Sequence, residues 1–257
     1  MRWLFRRSLV AFAGLSSALA SAEIFDRDDR IFVSTAVGSP YSPIGLVRYG
    51  RLFETGTLVD ECHVLTAQHI FRGQGSPVGR RLAFTVALGS PQELTTWGVV
   101  EIAGGLEQHR SLATQFTAAG TDWILVRLDQ CLGRTFGYAN LSERLIEPSE
   151  PRDVESAGYP RDRNSSRGLT VDPECKVKSV YSVVLMNDCA SLPGNSGGPI
   201  FRVTSTDGKM RLEVFGIQSA GYPQRKPKSF SQKDANLATP MWTILPNIQS
   251  HLIFSRS

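Results

Sequence analysis

The stretch Gly194-Asn195-Ser196-Gly197-Gly198-Pro199 is the one best suited to nucleophilic chemistry. A serine hydroxyl attacks poorly unless a base takes its proton and donors receive the developing oxyanion. Glycines on either side let the backbone turn tightly, so that two N–H groups can face one point. An ordinary Gly-rich turn is the plainer reading. Against it stand six matched positions and the apolar run Ile200-Phe201-Arg202-Val203 that follows at once.

The same residues fit G-x-S-x-G, the nucleophile elbow of α/β-hydrolases, but the context does not. That elbow needs a helix after the serine and a triad ordered Ser, acid, His. Here Gly198-Pro199 leads into a strand-like run, and the only later histidine is His251, close to the chain end. The base must then lie upstream, at His63, His69 or His109. His69 ends the β-run Leu65-Thr66-Ala67-Gln68-His69, whereas His63 lies inside that strand and His109 in a polar loop. For the orienting acid, Asp122 opens the half-buried run Asp122-Trp123-Ile124-Leu125-Val126. Asp60 and Asp129 fall at the opposite strand ends.

The elements that must position these residues repeat with period two, not 3.6. One series of short runs covers 44–49, 52–59, 63–67, 82–88, 95–102 and 122–128. A second covers 154–159, 175–180, 181–186, 198–203, 212–219 and 236–240. Gly, Pro, Asn, Ser and Asp fill the gaps, which predicts an all-β sandwich or barrel. The polar stretch Ser142 to Asp153 separates the series, and 103–121 reads as a long loop. One helix is expected after Pro240, with Met241, Trp242, Ile244, Leu245, Ile248 and Leu252 on one face.

The three blocks around His69, Asp122 and Ser196, in that order, resemble the catalytic blocks of chymotrypsin-like (trypsin-like) serine proteases. The chain is most similar to the bacterial branch that holds the glutamyl endopeptidases. Asp28-Asp29-Arg30, Tyr41-Ser42-Pro43-Ile44-Gly45 and Gly158-Tyr159-Pro160 carry that likeness. The resemblance implies two six-stranded antiparallel β-barrels with the active site in the cleft between them. It implies a peptide-cleaving role in which His69 takes the Ser196 proton and Asp122 fixes the His69 tautomer. The N–H groups of Gly194 and Ser196 would hold the oxyanion. Asn195 stands where animal relatives have an aspartate that pairs with a newly cut N-terminus, so activation by that ion pair is not expected.

Carried over residue by residue, the substrate pocket would be lined by Ala190, Ser191 and Gln218, with Ser219 and Gly221 on its wall. No acid stands at Ala190 to receive lysine or arginine. Gln218 stands where glutamate-specific relatives have histidine, so a small or polar uncharged residue before the cut is equally compatible. Four cysteines allow two disulfides in three connectivities. The fold implied by the resemblance pairs Cys62 with Cys131 and Cys175 with Cys189. Cys62 beside His63 is also compatible with a metal ligand, but no second ligand cluster accompanies it, so neither metal nor cofactor is expected.

The first 22 residues read as a secretory signal peptide. Arg2, Arg6 and Arg7 precede the apolar run 9–19, and small residues follow at A-x-A spacing, at Ala18-Leu19-Ala20 or Ala20-Ser21-Ala22. That run is too short to span a bilayer. The expected location is secreted or periplasmic, with no membrane anchor after cleavage. Residues 1–22 contain no acid, so losing the three arginines lowers the formal net charge from +4 to +1. Arg225, Lys226, Lys228 and Lys233 then read as a solvated loop, not a nucleic-acid surface. The organisation expected is a signal peptide at 1–22, a first barrel at 23–145 and a second barrel with the terminal helix at 146–257. Protein or peptide substrates and a monomeric state follow. The alternative is a catalytically inactive binding module that keeps the protease fold.

Overall fold

The computed structural model describes residues 24–105, 112–144, 153–163, 168–206, 208–221 and 228–253. The signal-peptide region, His109, Arg225, Lys226 and most of the stretch 142–153 lie outside them.

Alternating Val, Leu, Ile and Thr build the first barrel. Its strands are β2 (Ile44–Tyr49), β3 (Leu52–Leu58), β4 (His63–Thr66), β5 (Arg81–Val86), β6 (Leu94–Ala103) and β7 (Ile124–Leu128). They close in the order β2-β3-β4-β7-β6-β5, every pairing antiparallel. Val47, Leu58, Val64, Leu82, Phe84 and Val126 fill its interior.

The second barrel uses β9 (Asp153–Gly158), β10 (Thr170–Val180), β11 (Leu185–Asn187), β12 (Pro199–Thr206), β13 (Lys209–Ala220) and β14 (Asn236–Pro240). The path β10-β11-β14-β13-β12-β9 closes through the β10–β9 pairing, again antiparallel throughout. Two short strands join the outside: β1 (Ile31–Phe32) beside β10, and β8 (Asn140–Leu141) parallel to β13. The all-β, two-barrel architecture expected from the sequence is therefore present.

Another apolar cluster is shared between the barrels. Ile44, Leu46, Leu65 and Leu125 of the first barrel pack with Ala157, Tyr159, Phe201 and Ile217 of the second. The terminal helix, α3 in chain order (Met241–Ile248), adds Met241, Ile244, Leu245 and Ile248 to it. The two halves thus meet over apolar surface, whose removal from water favours a fixed mutual position. Leu252 falls beyond the helix, after a short 3₁₀ turn at Gln249–His251.

One expectation is corrected. The end of the segment 103–121 is not loop but a helix, α1 (Leu112–Thr121). Ala118, Ala119 and Gly120 are buried there, and the Thr239 hydroxyl of β14 donates to the Ala119 carbonyl. A side chain at Gly120 would meet the Val183 carbonyl at 2.5 Å, so small residues let the helix lie close. A four-residue helix, α2 (Gly133–Phe136), follows β7.

Both disulfides are formed as expected, Cys62–Cys131 and Cys175–Cys189. The β4–β7 register explains the first. His63 lies opposite Arg127, and the Leu128 N–H donates to the Cys62 carbonyl, which brings Cys62 beside the chain leaving β7. Cys62 is thereby unavailable as a thiolate ligand.

Candidate active site

His69 lies in the 3₁₀ turn Gln68–Phe71, just after β4. Asp122 lies just before β7, the strand paired with β4, and the antiparallel register places the two side by side. The His69 backbone N–H donates to Asp122 Oδ1 at 2.9 Å. The ring nitrogen Nδ1 lies 2.6 Å from Oδ2 of the same carboxylate. Asp122 therefore grips both the backbone and the ring of His69. The Ser219 hydroxyl of β13 donates to Oδ2 as well, at 2.6 Å. On the other side of the ring, Nε2 lies 2.9 Å from Ser196 Oγ. Two barrels thus supply one continuous chain of contacts from carboxylate to imidazole to hydroxyl.

The serine loop is held by bonds across the cleft. The Thr55 N–H of β3 donates to the Ser196 carbonyl at 2.8 Å, and its hydroxyl donates to the Gly194 carbonyl at 2.7 Å. Gly194 and Gly197 both have positive φ, at 107° and 75°. A Cβ on Gly194 would lie 2.2 Å from the Tyr159 carbonyl oxygen. One on Gly197 would lie 2.3 Å from both the Thr55 carbonyl and the Thr66 hydroxyl. Gly197→Ala should therefore destabilise the fold by at least about 2 kcal/mol, from left-handed strain and the displaced cleft contacts. A thermal melt should show Tm lowered by roughly 4–8 °C; an unchanged Tm would mean the loop can relax away from Thr55. Among the described residues, no backbone carbonyl accepts from the N–H of Gly194 or Ser196, and both remain free for a ligand oxygen.

Charge at the site is set by burial and two carboxylates. Burial by itself would lower the His69 pKa, but Asp122 and then Glu54 more than offset it and hold the imidazole well above its ordinary range. Burial likewise opposes the Asp122 charge, yet His69 and Ser219 keep its carboxyl below the usual aspartate value.

Glu54 has no place in the sequence reading. It lies in β3 with its side chain buried, and Oε1 is 3.0 Å from His69 Nε2. Its only signal in the sequence is a charged residue inside an otherwise apolar and Thr-rich strand run. The rejected acids sit elsewhere: Asp60 bonds His63 Nδ1 at 2.7 Å, and Asp129 pairs with Arg81.

Of the pocket residues expected from the sequence, Gln218 exchanges backbone hydrogen bonds with Gly197 and Gly198 of the serine loop; Ala190, Ser191, Gln218 and Ser219 are buried and Gly221 is partly exposed. Asn187, also missed, donates through Nδ2 to Gln218 Oε1 at 3.3 Å. Gln218 Nε2 is buried with no hydrogen-bond partner among the described residues. The Ser219 hydroxyl is spent on Asp122.

The Trypsin family model matches residues 38–241, most of the chain and all of the site just described. The chain belongs to the trypsin family. It is thereby a serine endopeptidase by family, a hydrolase acting on protein or peptide substrates. Among solved structures it is similar to a Glu endopeptidase in complex with MPD, with TM-score 0.66 and 18% identity over 89% of this chain and 98% of that one. It is also similar to neuropsin, a serine protease expressed in the limbic system of mouse brain, with TM-score 0.57 and 15% identity over 85% and 96%. At those identities the neighbours speak for the trypsin-like fold alone. No curated protein matches the chain.

Proposed function

We propose that the protein is an exported endopeptidase that hydrolyses peptide bonds through an acyl-enzyme on Ser196. The observation that carries this reading is the unbroken contact chain Asp122–His69–Ser196, at 2.6 and 2.9 Å, across the barrel interface. Neutral His69, with Nδ1–H donated to Asp122, takes the Ser196 proton at Nε2 as Oγ bonds to the scissile carbonyl carbon. The N–H groups of Gly194 and Ser196 receive the oxyanion. Imidazolium Nε2–H then protonates the leaving amine, the C–N bond breaks, and an ester on Ser196 remains. Water gives a proton to Nε2 as its oxygen bonds to the ester carbonyl carbon; the C–Oγ bond then breaks, Oγ takes that proton back from Nε2, and a carboxylic acid leaves with Ser196 and neutral His69 restored.

Asn195, buried with its Oδ1 unpartnered among the described residues, is neutral and forms no ion pair with a new N-terminus. The oxyanion donors are accordingly set without that switch. Export is supported by the basic-apolar-small pattern of residues 1–22 and by two disulfides, which suit an oxidising compartment. No helix among the described residues is long and apolar enough to cross a membrane. We assign the mature protein to a secreted or periplasmic monomer.

The pocket residues Ala190, Ser191, Gln218, Ser219 and Gly221 take a side chain that can accept from Gln218 Nε2, with no acid facing a cation there. Cleavage-site profiling on a peptide library tests the activity and its preference together. Cuts after polar uncharged or acidic residues are expected; cuts confined to lysine and arginine would contradict this pocket. The same profiling should show every cut disappear with Ser196→Ala.

A further inference from the structure

We infer that Glu54 is a positioning residue that occupies His69 Nε2 in the free enzyme and so gates the activation of Ser196. The inference rests on the reading of His69 as the base. It starts from a competition on one atom. Nε2 lies 2.9 Å from Ser196 Oγ and 3.0 Å from Glu54 Oε1. A ring nitrogen offers one lone pair or one N–H, so it cannot accept from Ser196 while it shares a proton with Glu54.

The strand fixes Glu54 there. Its neighbour Thr55 is bonded to the carbonyls of both Ser196 and Gly194, so β3 cannot withdraw without releasing the serine loop. The side chain is 8% exposed, and Oε2 is buried with no hydrogen-bond partner among the described residues. A buried carboxylate needs a paired cation or a proton. His69 supplies either. The ionisable groups facing the pair from other elements are Asp122, ahead of β7, and Arg161, from the 3₁₀ turn Arg161–Arg163. Arg161 is exposed and lies over the Phe53 ring at 4.9 Å. Ser196 touches the His69 ring directly, whereas Ser219 reaches it only through Asp122.

Two arrangements hold the shared proton. It sits on Nε2 as imidazolium beside carboxylate, or on Oε1 as a carboxyl donating to neutral imidazole. In both, the lone pair that Ser196 needs is engaged. Loss of that one proton to solvent leaves a Glu54 carboxylate and a neutral ring with Nε2 open to the Ser196 O–H. Burial favours the protonated carboxyl, and the negative charge of Glu54 adds to that of Asp122 in favouring the protonated ring. The pair therefore keeps its proton to higher pH than an isolated histidine would.

The second-order rate of inactivation by phenylmethanesulfonyl fluoride reports Ser196 reactivity without a known substrate. It should be measured from pH 5 to 9 for the full chain, Glu54→Gln and Glu54→Ala, with thermal melts identifying the folded variants. Removing the carboxyl should move the acid limb down by about one pH unit or more, the usual effect of a charge within hydrogen-bond distance. On that limb the variants should react about tenfold faster than the unmodified chain. An unmoved or alkaline-shifted limb in either folded variant overturns the role of Glu54. A purely structural loss would lower the rate at every pH without shifting the limb, and that result also overturns it. An unmodified chain unreactive at all pH values would instead refute the His69–Ser196 reading itself.

Discussion

Replacing Ser196 by alanine is expected to lower kcat by on the order of 10⁶ while peptide binding persists. The substitution removes the only atom of the site that forms a covalent bond with substrate. It leaves intact Thr55, which holds the loop through the Ser196 and Gly194 carbonyls, so the loop should keep its shape. His69→Ala should cost a similar factor. The double variant should be little worse than either alone, because hydroxyl and imidazole act as one unit. Steady-state kinetics on one peptide, with binding followed separately, checks all three. A Ser196→Ala chain retaining a tenth or more of its turnover would remove the serine from the mechanism.

Asp122→Asn should lower kcat by on the order of 10⁴ at neutral pH, the scale expected when the base is held in the wrong tautomer. The Asp122 carboxylate accepts from His69 Nδ1, from the His69 backbone and from Ser219. An amide can keep the backbone bond only by turning its NH₂ toward Nδ1. Nδ1 must then accept, the proton moves to Nε2, and Nε2 can no longer take the Ser196 proton. Losing the Asp122 charge also removes the stronger of the two influences that raise the His69 pKa. The acid limb of the residual activity should therefore fall, since a base whose pKa is lowered stays neutral to lower pH. For the unmodified chain the limb should lie above the ordinary histidine value of about 6.5, because two carboxylates face the ring. A pH–rate profile shows both effects. Asp60→Asn and Asp129→Asn, whose carboxylates serve His63 and Arg81, should leave the limb in place.

Much of this architecture is legible because short apolar and β-branched runs bounded by turn residues are a strong local signal, even where, as in β2 and β14, nearly every residue is buried. The run Ile44–Tyr49 became β2 with the bounds read from its pattern, and Asn236–Pro240 became β14. β10 begins at Thr170, ahead of the run expected from Cys175. Asp172-Pro173-Glu174 has the composition of a turn, and the strand passes through it by a register shift between Asp172 and Cys175. Bulges tolerate proline where regular ladders do not. α1 has no clear signature in the sequence, because Leu112–Thr121 combines threonine and glycine with no charged residue and no clear stripe. Its place depends on close packing against β14 and Val183, which no local pattern encodes.

The site divides the same way. His69, Asp122 and Ser196, which meet in one chain of contacts, are legible as candidates because each opens or closes a strand-like run in a recognisable block. Glu54 is not, since it lies fifteen residues from His69 and only the closure of the barrel brings it to Nε2. Ser219 was placed at the pocket wall by position, whereas its hydroxyl serves Asp122. Side-chain direction at a strand bend, here the shift between Gln218 and Ala220, is not given by alternation.

Treatment of the folded chain with an organophosphonate, followed by intact mass and peptide mapping, bears most directly on the arrangement of Ser196, His69 and Asp122. One covalent adduct is expected, on the peptide that carries Ser196, and it should vanish in Ser196→Ala and be suppressed in His69→Ala. A folded chain that takes up no label at any pH, or takes it up on another residue, would contradict an activated serine and leave a binding module on a protease scaffold.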